Sequence, residues 1–188
     1  MTAPNSRIVV SLGTDFHRFD RLVNWIDDWL DSLEAPPSCL VQHGASRSPR
    51  LAQGIDRMPR QDLLNLYRTA DLVIVQGGPG SILDAREAGH IPVAVPRRPE
   101  LGEVVDAHQI AFTTVMHRQG EAVMATSMEQ LMEAGSAVLA DPARARTAPR
   151  QPGGTAATAQ LEHVVAALGS VPRAGRMFRR ARHVWLRQ

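Results

Sequence analysis

Residues 72–89, LVIVQGGPGSILDAREAG, hold the side chains and backbone best suited to chemistry. An apolar run of the kind that forms a buried strand stops at a glycine-rich turn, and helix-forming residues begin directly behind it. Such a turn leaves backbone N–H groups unpaired at the carboxyl edge of a parallel sheet. Those donors, with the helix dipole, suit a diphosphate. Gly77, Gly78 and Gly80 let the backbone approach such a ligand closely. Ser81 adds a hydroxyl donor, and Asp84, one helical turn on, can accept from ribose hydroxyls. The same letters also fit a plain strand-to-helix turn in which Ser81 and Asp84 form a capping box.

Three further polar loops follow apolar runs. Gly13 and Thr14 end the first run, residues 7–12, and could add backbone and hydroxyl donors; the bland alternative is a loop with Asp20 as N-cap of the helix behind it. His17 in that loop is the candidate for a catalytic base, although a lone loop histidine also reads as simply solvated. Gln42, His43 and Gly44 follow residues 40–41. Glu100, Glu103, Asp106, His108 and Gln109 follow a run that ends at Pro96-Arg97, where a solvated acidic loop capped by Asp106 is the alternative. Four polar loops behind four strands point to one crevice, as a doubly wound ligand site requires. No G-x-S-x-G elbow, Walker lysine, H-E-x-x-H or Cys/His metal pair is present, so no metal or organic cofactor is expected.

The elements that must position these loops alternate. Strands are expected over residues 7–12, 40–42, 72–75, 91–95 and 122–125, with helices from Asp20 to the Pro36-Pro37 stop and over 60–69, 81–88, 106–118 and 127–140. In the first helix Leu22, Ile26, Trp29, Leu30 and Leu33 share one face, with Asp27, Asp28 and Asp31 largely on the others. Alternation of this kind predicts an α/β, Rossmann-like domain with a mostly parallel sheet and helices on both faces. The domain is expected over residues 1–140. Residues 141–158, rich in Pro, Ala, Gly, Arg and Thr, read as a linker or loop. Residues 159–188 read as an amphipathic, basic helical segment.

With 188 residues and one cysteine, Cys39, the chain can bury a core and cannot form an internal disulfide. It has no signal-peptide core and no stretch near the roughly 20 apolar residues of a membrane span. A cytoplasmic setting is expected. The net charge of +2 is uneven: nine arginines and a single carboxylate side chain, Glu162, fall between Arg144 and Arg187. A basic tail of this kind suits an acidic partner, either a protein surface or an anionic membrane surface. Its two aromatics, Phe178 and Trp185, are too few for a base-stacking platform, so nucleic acid is not expected as a partner.

Gly78, Gly80, Ser81, Asp84, Gly89, Pro92, Pro96-Arg97, Glu103, Asp106 and His108-Gln109, in this order and spacing, resemble the C-terminal, donor-binding region of glycosyltransferase family 28. The opening Val10-Ser11-Leu12-Gly13-Thr14, with Phe19-Asp20-Arg21-Leu22, is similar to the short members of that family. Those are the sugar-nucleotide subunits of two-part transferases, among them the dolichol-linked N-acetylglucosaminyltransferase and bacterial exopolysaccharide glycosyltransferases. The resemblance covers roughly residues 7–140. It implies a single GT-B half-domain that binds a UDP-sugar through Gly13, Thr14, Gln42, Gly77, Gly78, Gly80, Ser81, Asp84, Arg97, Glu103, His108 and Gln109. It implies inverting transfer to a lipid-linked or polysaccharide acceptor, completed by a membrane-attached partner subunit at the cytoplasmic face. A non-catalytic enhancer of a partner transferase is the alternative. The chain departs from the family at Asp84, where Glu is usual, and at Pro79, where a small residue is common.

Overall fold

Six short strands pair entirely in parallel in the computed structural model, which describes residues 7–150. In chain order they are β1 (Arg7–Ser11), β2 (Ser38–Gln42), β3 (Gln53–Ile55), β4 (Leu72–Gln76), β5 (Val93–Val95) and β6 (Val123–Met124). The helices are α1 (Asp20–Asp31), α2 (Arg60–Thr69), α3 (Pro79–Glu87), α4 (His108–Arg118) and α5 (Met128–Ala140). The sheet order is β3-β2-β1-β4-β5-β6, the doubly wound order of a Rossmann-like fold. The chain builds outward from β1 to β3 and then crosses back to β4. The loops after β1 and β4 therefore diverge, and a crevice opens between them.

The apolar runs explain the layers. Alternate residues of a strand face opposite sides, so a strand covered on both sides must be apolar throughout. Ile8, Val10, Val41, Leu72, Ile74, Val93 and Val95 pack against Leu22, Ile26 and Trp29 of α1 and Leu131 and Leu139 of α5. Val9, Val73, Val75 and Ala94 pack on the other side with Leu64 and Tyr67 of α2, Ile82 and Ala85 of α3, and Phe112 of α4. The helices thus cover both faces, as alternation predicts.

Several local expectations are corrected. The strand β3 escaped the sequence reading because its three residues, Gln-Gly-Ile, form an edge with no apolar run. Asp27, placed on a polar face by helical periodicity, is fully buried. Its Oδ1 accepts the backbone N–H groups of Arg50 (2.9 Å) and Leu51 (3.1 Å), and its Oδ2 takes the Arg47 guanidinium at 2.7 Å. Burial raises the pKa of this carboxyl, and the bonds from Arg47, Leu51 and Arg50 outweigh it, leaving it below its ordinary value. Asp27 thereby ties the β2–β3 connection to α1. Asp20 is the first helical residue rather than the cap, and its Oδ1 accepts from the Arg47 backbone N–H at 2.8 Å.

The stretch from Asp141 also differs from a free linker as far as Arg150. Pro142–Ala145 form a short 3-10 turn. Ile91 donates to the Ala145 carbonyl (2.8 Å), Thr147 to Gly89 (3.0 Å) and Arg150 to Arg86 (2.9 Å). The rest of the expected linker and the expected helical segment at 159–188 lie outside the described residues.

Candidate functional site

The turn between β4 and α3 starts from the last strand residue, Gln76, and passes through Gly77 to Gly78, whose extended backbone caps the helix. Pro79 occupies the first helical position, where the N–H it lacks would have had no intrahelical partner. Proline therefore costs the helix nothing there. The N–H groups of Gly80 and Ser81 follow it in the first turn, also without intrahelical acceptors. Ser81 lies inside the helix, so it is not the cap of a capping box. Its hydroxyl sits 3.5 Å from Gln76 Nε2.

These groups form one wall of a cleft of about 460 Å³ at the carboxyl edge of the sheet. Gly13 and Thr14 after β1, Gln42 at the end of β2, and Gln109 in α4 line it with Gly78, Gly80, Ser81 and Asp84. Eight of the expected donor-binding residues thus converge. Gln42 lines the cleft with its amide already spent: Nε2 donates to the carbonyls of Gly13 and Asp56, both at 2.9 Å, and Oε1 accepts from Ser11 at 2.8 Å. Gln42 therefore braces the loops, leaving contact to Gly13 and Thr14. Gly13 needs its positive φ of 77°, and a Cβ there would lie 2.3 Å from Gln76 Nε2.

Four other expected residues do not line the cleft. Gly77 is a packing glycine: a Cβ on it would sit 2.4 Å from Thr113 Oγ1 and 2.8 Å from Pro96 Cα. Glu103, 5% exposed, binds Arg21 through both carboxylate oxygens, at 2.9 and 2.8 Å. His108 is exposed and pairs with Asp106 at 2.7 Å. Arg97 is 1% exposed. Its guanidinium donates to the carbonyls of Leu12 (2.9 Å), His17 (2.8 Å) and Glu103 (2.9 Å) and to Gln76 Oε1 (3.1 Å), and it lies over the Phe19 ring. Arg97 thus ties together the loops after β1 and β5 and the end of β4. By holding the Gln76 oxygen it turns the amide nitrogen toward Ser81.

Alanine at the two turn glycines separates packing from exposure. Gly77→Ala is expected to cost about 1–3 kcal/mol, because Pro96 backbone and Thr113 must both shift. Gly80 has no atom within 4 Å of its missing Cβ. Gly80→Ala is expected to change stability by less than about 1 kcal/mol. Urea unfolding of both variants measures the difference, and equal losses would contradict it.

His17, the candidate base, does not line the cleft. Asp15 Oδ1 accepts from its backbone N–H at 2.8 Å and lies 2.7 Å from its Nδ1. Burial raises the Asp15 pKa, but the two bonds from His17 and the Arg97 charge outweigh it and hold the carboxyl below its ordinary value. Nδ1 thus faces an acceptor, so the ring is oriented. Among the described residues no three His, Cys, Asp or Glu side chains come together as a metal site. None of the described helices is long and apolar enough to cross a membrane.

The sequence reading missed Met58, Arg60 and Leu63, which bring the start of α2 to the cleft. With β3 unrecognised, nothing marked the 56–59 loop as another post-strand loop at this edge. Arg60 and Asp84 are the two charged residues of the lining. Arg60 Nε and Nη2 donate to Asp84 Oδ1 at 2.9 and 2.7 Å, and Nη2 reaches Glu87 at 2.5 Å. Those bonds raise the Arg60 pKa, so the guanidinium stays charged.

No family model matches the chain, and no curated protein matches its sequence. Solved structures do match its fold. The chain matches the calicheamicin glycosyltransferase CalG4 over 91% of its length, at a TM-score of 0.54 and 19% identity. It matches the glycotransferase of kitacinnamycin over 90% (TM-score 0.51, 17% identity) and MurG of Acinetobacter baumannii over 76% (0.53, 19%). It spans 44%, 42% and 43% of those chains, less than half of each. At such identities the likeness establishes the fold: a Rossmann-like α/β domain of the kind found in GT-B glycosyltransferases.

Proposed function

We propose that the chain is the donor-binding half of a two-part inverting glycosyltransferase, and that it takes a UDP-sugar. The observation that carries this reading is the cleft at the β1/β4 switch point, walled by the open N-terminus of α3. The diphosphate sits against the Gly80 and Ser81 N–H groups, where the positive end of the helix dipole offsets its charge. Asp84, one turn along, takes ribose hydroxyls. Met58 and Leu63 supply an apolar wall for the base. As the sugar leaves, charge builds on the diphosphate, and fixed N–H donors stabilise it without a metal ion. The acceptor, lipid-linked or polysaccharide, is brought by a membrane-attached partner subunit, and this chain works at the cytoplasmic face.

Calorimetric titration with UDP and several UDP-sugars tests the reading. Binding is expected in the micromolar-to-millimolar range, and Asp84→Ala is expected to weaken it about tenfold, the loss of one hydrogen bond to a charged group. Binding only after co-purification with the partner would mean that the partner completes the site. Activity of the partner without this chain would favour the enhancer role. No nucleotide binding in either preparation would sink the proposal.

A further inference from the structure

Asp84 does not face the cleft as a lone carboxylate. Its Oδ1 receives two N–H groups of Arg60, and Glu87 takes the second Nη2 hydrogen at 2.5 Å. One edge of the guanidinium is therefore fixed to α3. Two capacities remain unspent among the described residues: Asp84 Oδ2 as acceptor, and the two N–H groups of Arg60 Nη1 as donors. The pair offers a charged acceptor beside a charged donor at the rim of the cleft, about one helical turn from the N-terminus of α3.

A hydroxyl is both donor and acceptor, so it can satisfy two such groups at once. We infer that Arg60 and Asp84 together read the ribose 2′-hydroxyl, and that Arg60 is the residue that makes the site select ribonucleoside over 2′-deoxyribonucleoside diphosphates. This rests on the donor-binding reading above. The hydroxyl donates to Asp84 Oδ2 and accepts from Arg60 Nη1. A 2′-deoxy sugar offers only C–H there, and its binding forgoes both charge-assisted hydrogen bonds. Glu87 matters because it restrains Arg60 before the ligand arrives, so little side-chain freedom is lost on binding.

Titration of the chain with UDP and with 2′-deoxy-UDP tests the assignment, using wild type, Arg60→Ala and Arg60→Lys. The wild type is expected to prefer UDP by about tenfold or more, the effect of one or two hydrogen bonds to charged groups. In Arg60→Ala the UDP affinity falls, the 2′-deoxy-UDP affinity stays within about twofold, and the preference shrinks toward unity. Arg60→Lys keeps the charge without the fork and retains part of the preference. Arg60 is more than half exposed, so both variants are expected to fold; their thermal midpoints check this. A ratio unchanged in Arg60→Ala, or both affinities falling together, would overturn the inference while leaving the donor site intact. Wild type that binds the two nucleotides equally overturns it as well. Wild type that binds neither, both alone and co-purified with the partner, overturns the donor reading with it.

Discussion

Replacing Arg97 with alanine is expected to lower the stability of the domain by about 3–5 kcal/mol, because it combines a core cavity with several orphaned acceptors. The guanidinium is the second-largest fully buried side chain after Trp29. Its removal strips donors from the carbonyls of Leu12, His17 and Glu103 at once. The bonds to Leu12 and Glu103 are buried, so water does not freely replace them. Burial lowers the Arg97 pKa, partly offset by the charges of Asp15 and Glu103, yet a guanidinium remains protonated at any pH the fold tolerates. For a domain near 150 residues the loss corresponds to a fall in Tm of roughly 10 °C. Arg97→Lys is expected to recover about half, since one ammonium cannot span three carbonyls fixed in a fork. Differential scanning calorimetry measures both. The position of Arg97 in sequence suggests a ligand contact instead. In that case Arg97→Ala would leave Tm unchanged and abolish nucleotide binding. Nucleotide affinity is still expected to drop in the variant, but through the loosened Gly13–Thr14 loop and Gln76, and together with Tm.

Acid is expected to remove about 3 kcal/mol of stability through one residue, His90. The ring is wholly buried, Nε2 donates to the Tyr67 carbonyl at 2.7 Å, and Nδ1 has no partner among the described residues. A second proton would sit on Nδ1 with nothing to accept it. Burial, and then the Arg146 charge, push the pKa from 6.5 down to about 4, against smaller opposing contributions from Tyr67 and Asp71. Because the unfolded chain binds a proton that the folded chain refuses, the stabilisation is complete above pH 6.5. It is lost as pH falls toward 4. The carboxylates held below their ordinary values, Asp27 and Asp15, lose theirs only below about 4, so the two regimes separate. His90→Gln keeps a donor for the Tyr67 carbonyl and cannot titrate. Urea unfolding at a series of pH values is expected to show a steeper slope between 6.5 and 4 in wild type than in that variant. An equal slope in both would assign the acid sensitivity elsewhere. His90 also bridges to Arg146, so protonation is expected to loosen the 141–150 stretch first.

Much of the fold and part of the candidate site are legible from residue types alone. β1 and β4 and the helices announce themselves because a strand covered on both faces must be apolar throughout, and a helix on a sheet must carry one apolar stripe. The glycine-rich turn before α3 is visible because it parts an apolar run from a stretch of helix-forming residues. From the order of these elements follow the parallel sheet and the crevice behind β1 and β4. What the sequence could not separate is which polar residues of the converging loops face the crevice. Arg97, Glu103 and Asp84 are all charged residues behind buried strands. The first two pair inward and the third lines the cleft, a difference set by partners 82 and 85 residues away in the chain, Arg21 for Glu103 and Leu12 for Arg97. Asp27 and Arg60 make the same point from opposite sides. Periodicity assigned Asp27 to solvent, but a loop folds over it and supplies four donors. Arg60 opens a helix that looks like any other, until the short edge strand β3 carries it to Asp84. Local pattern determines which elements form and what each can bury. Only the packed sheet decides which charges meet, because a charge is buried or exposed according to partners that lie far away in sequence.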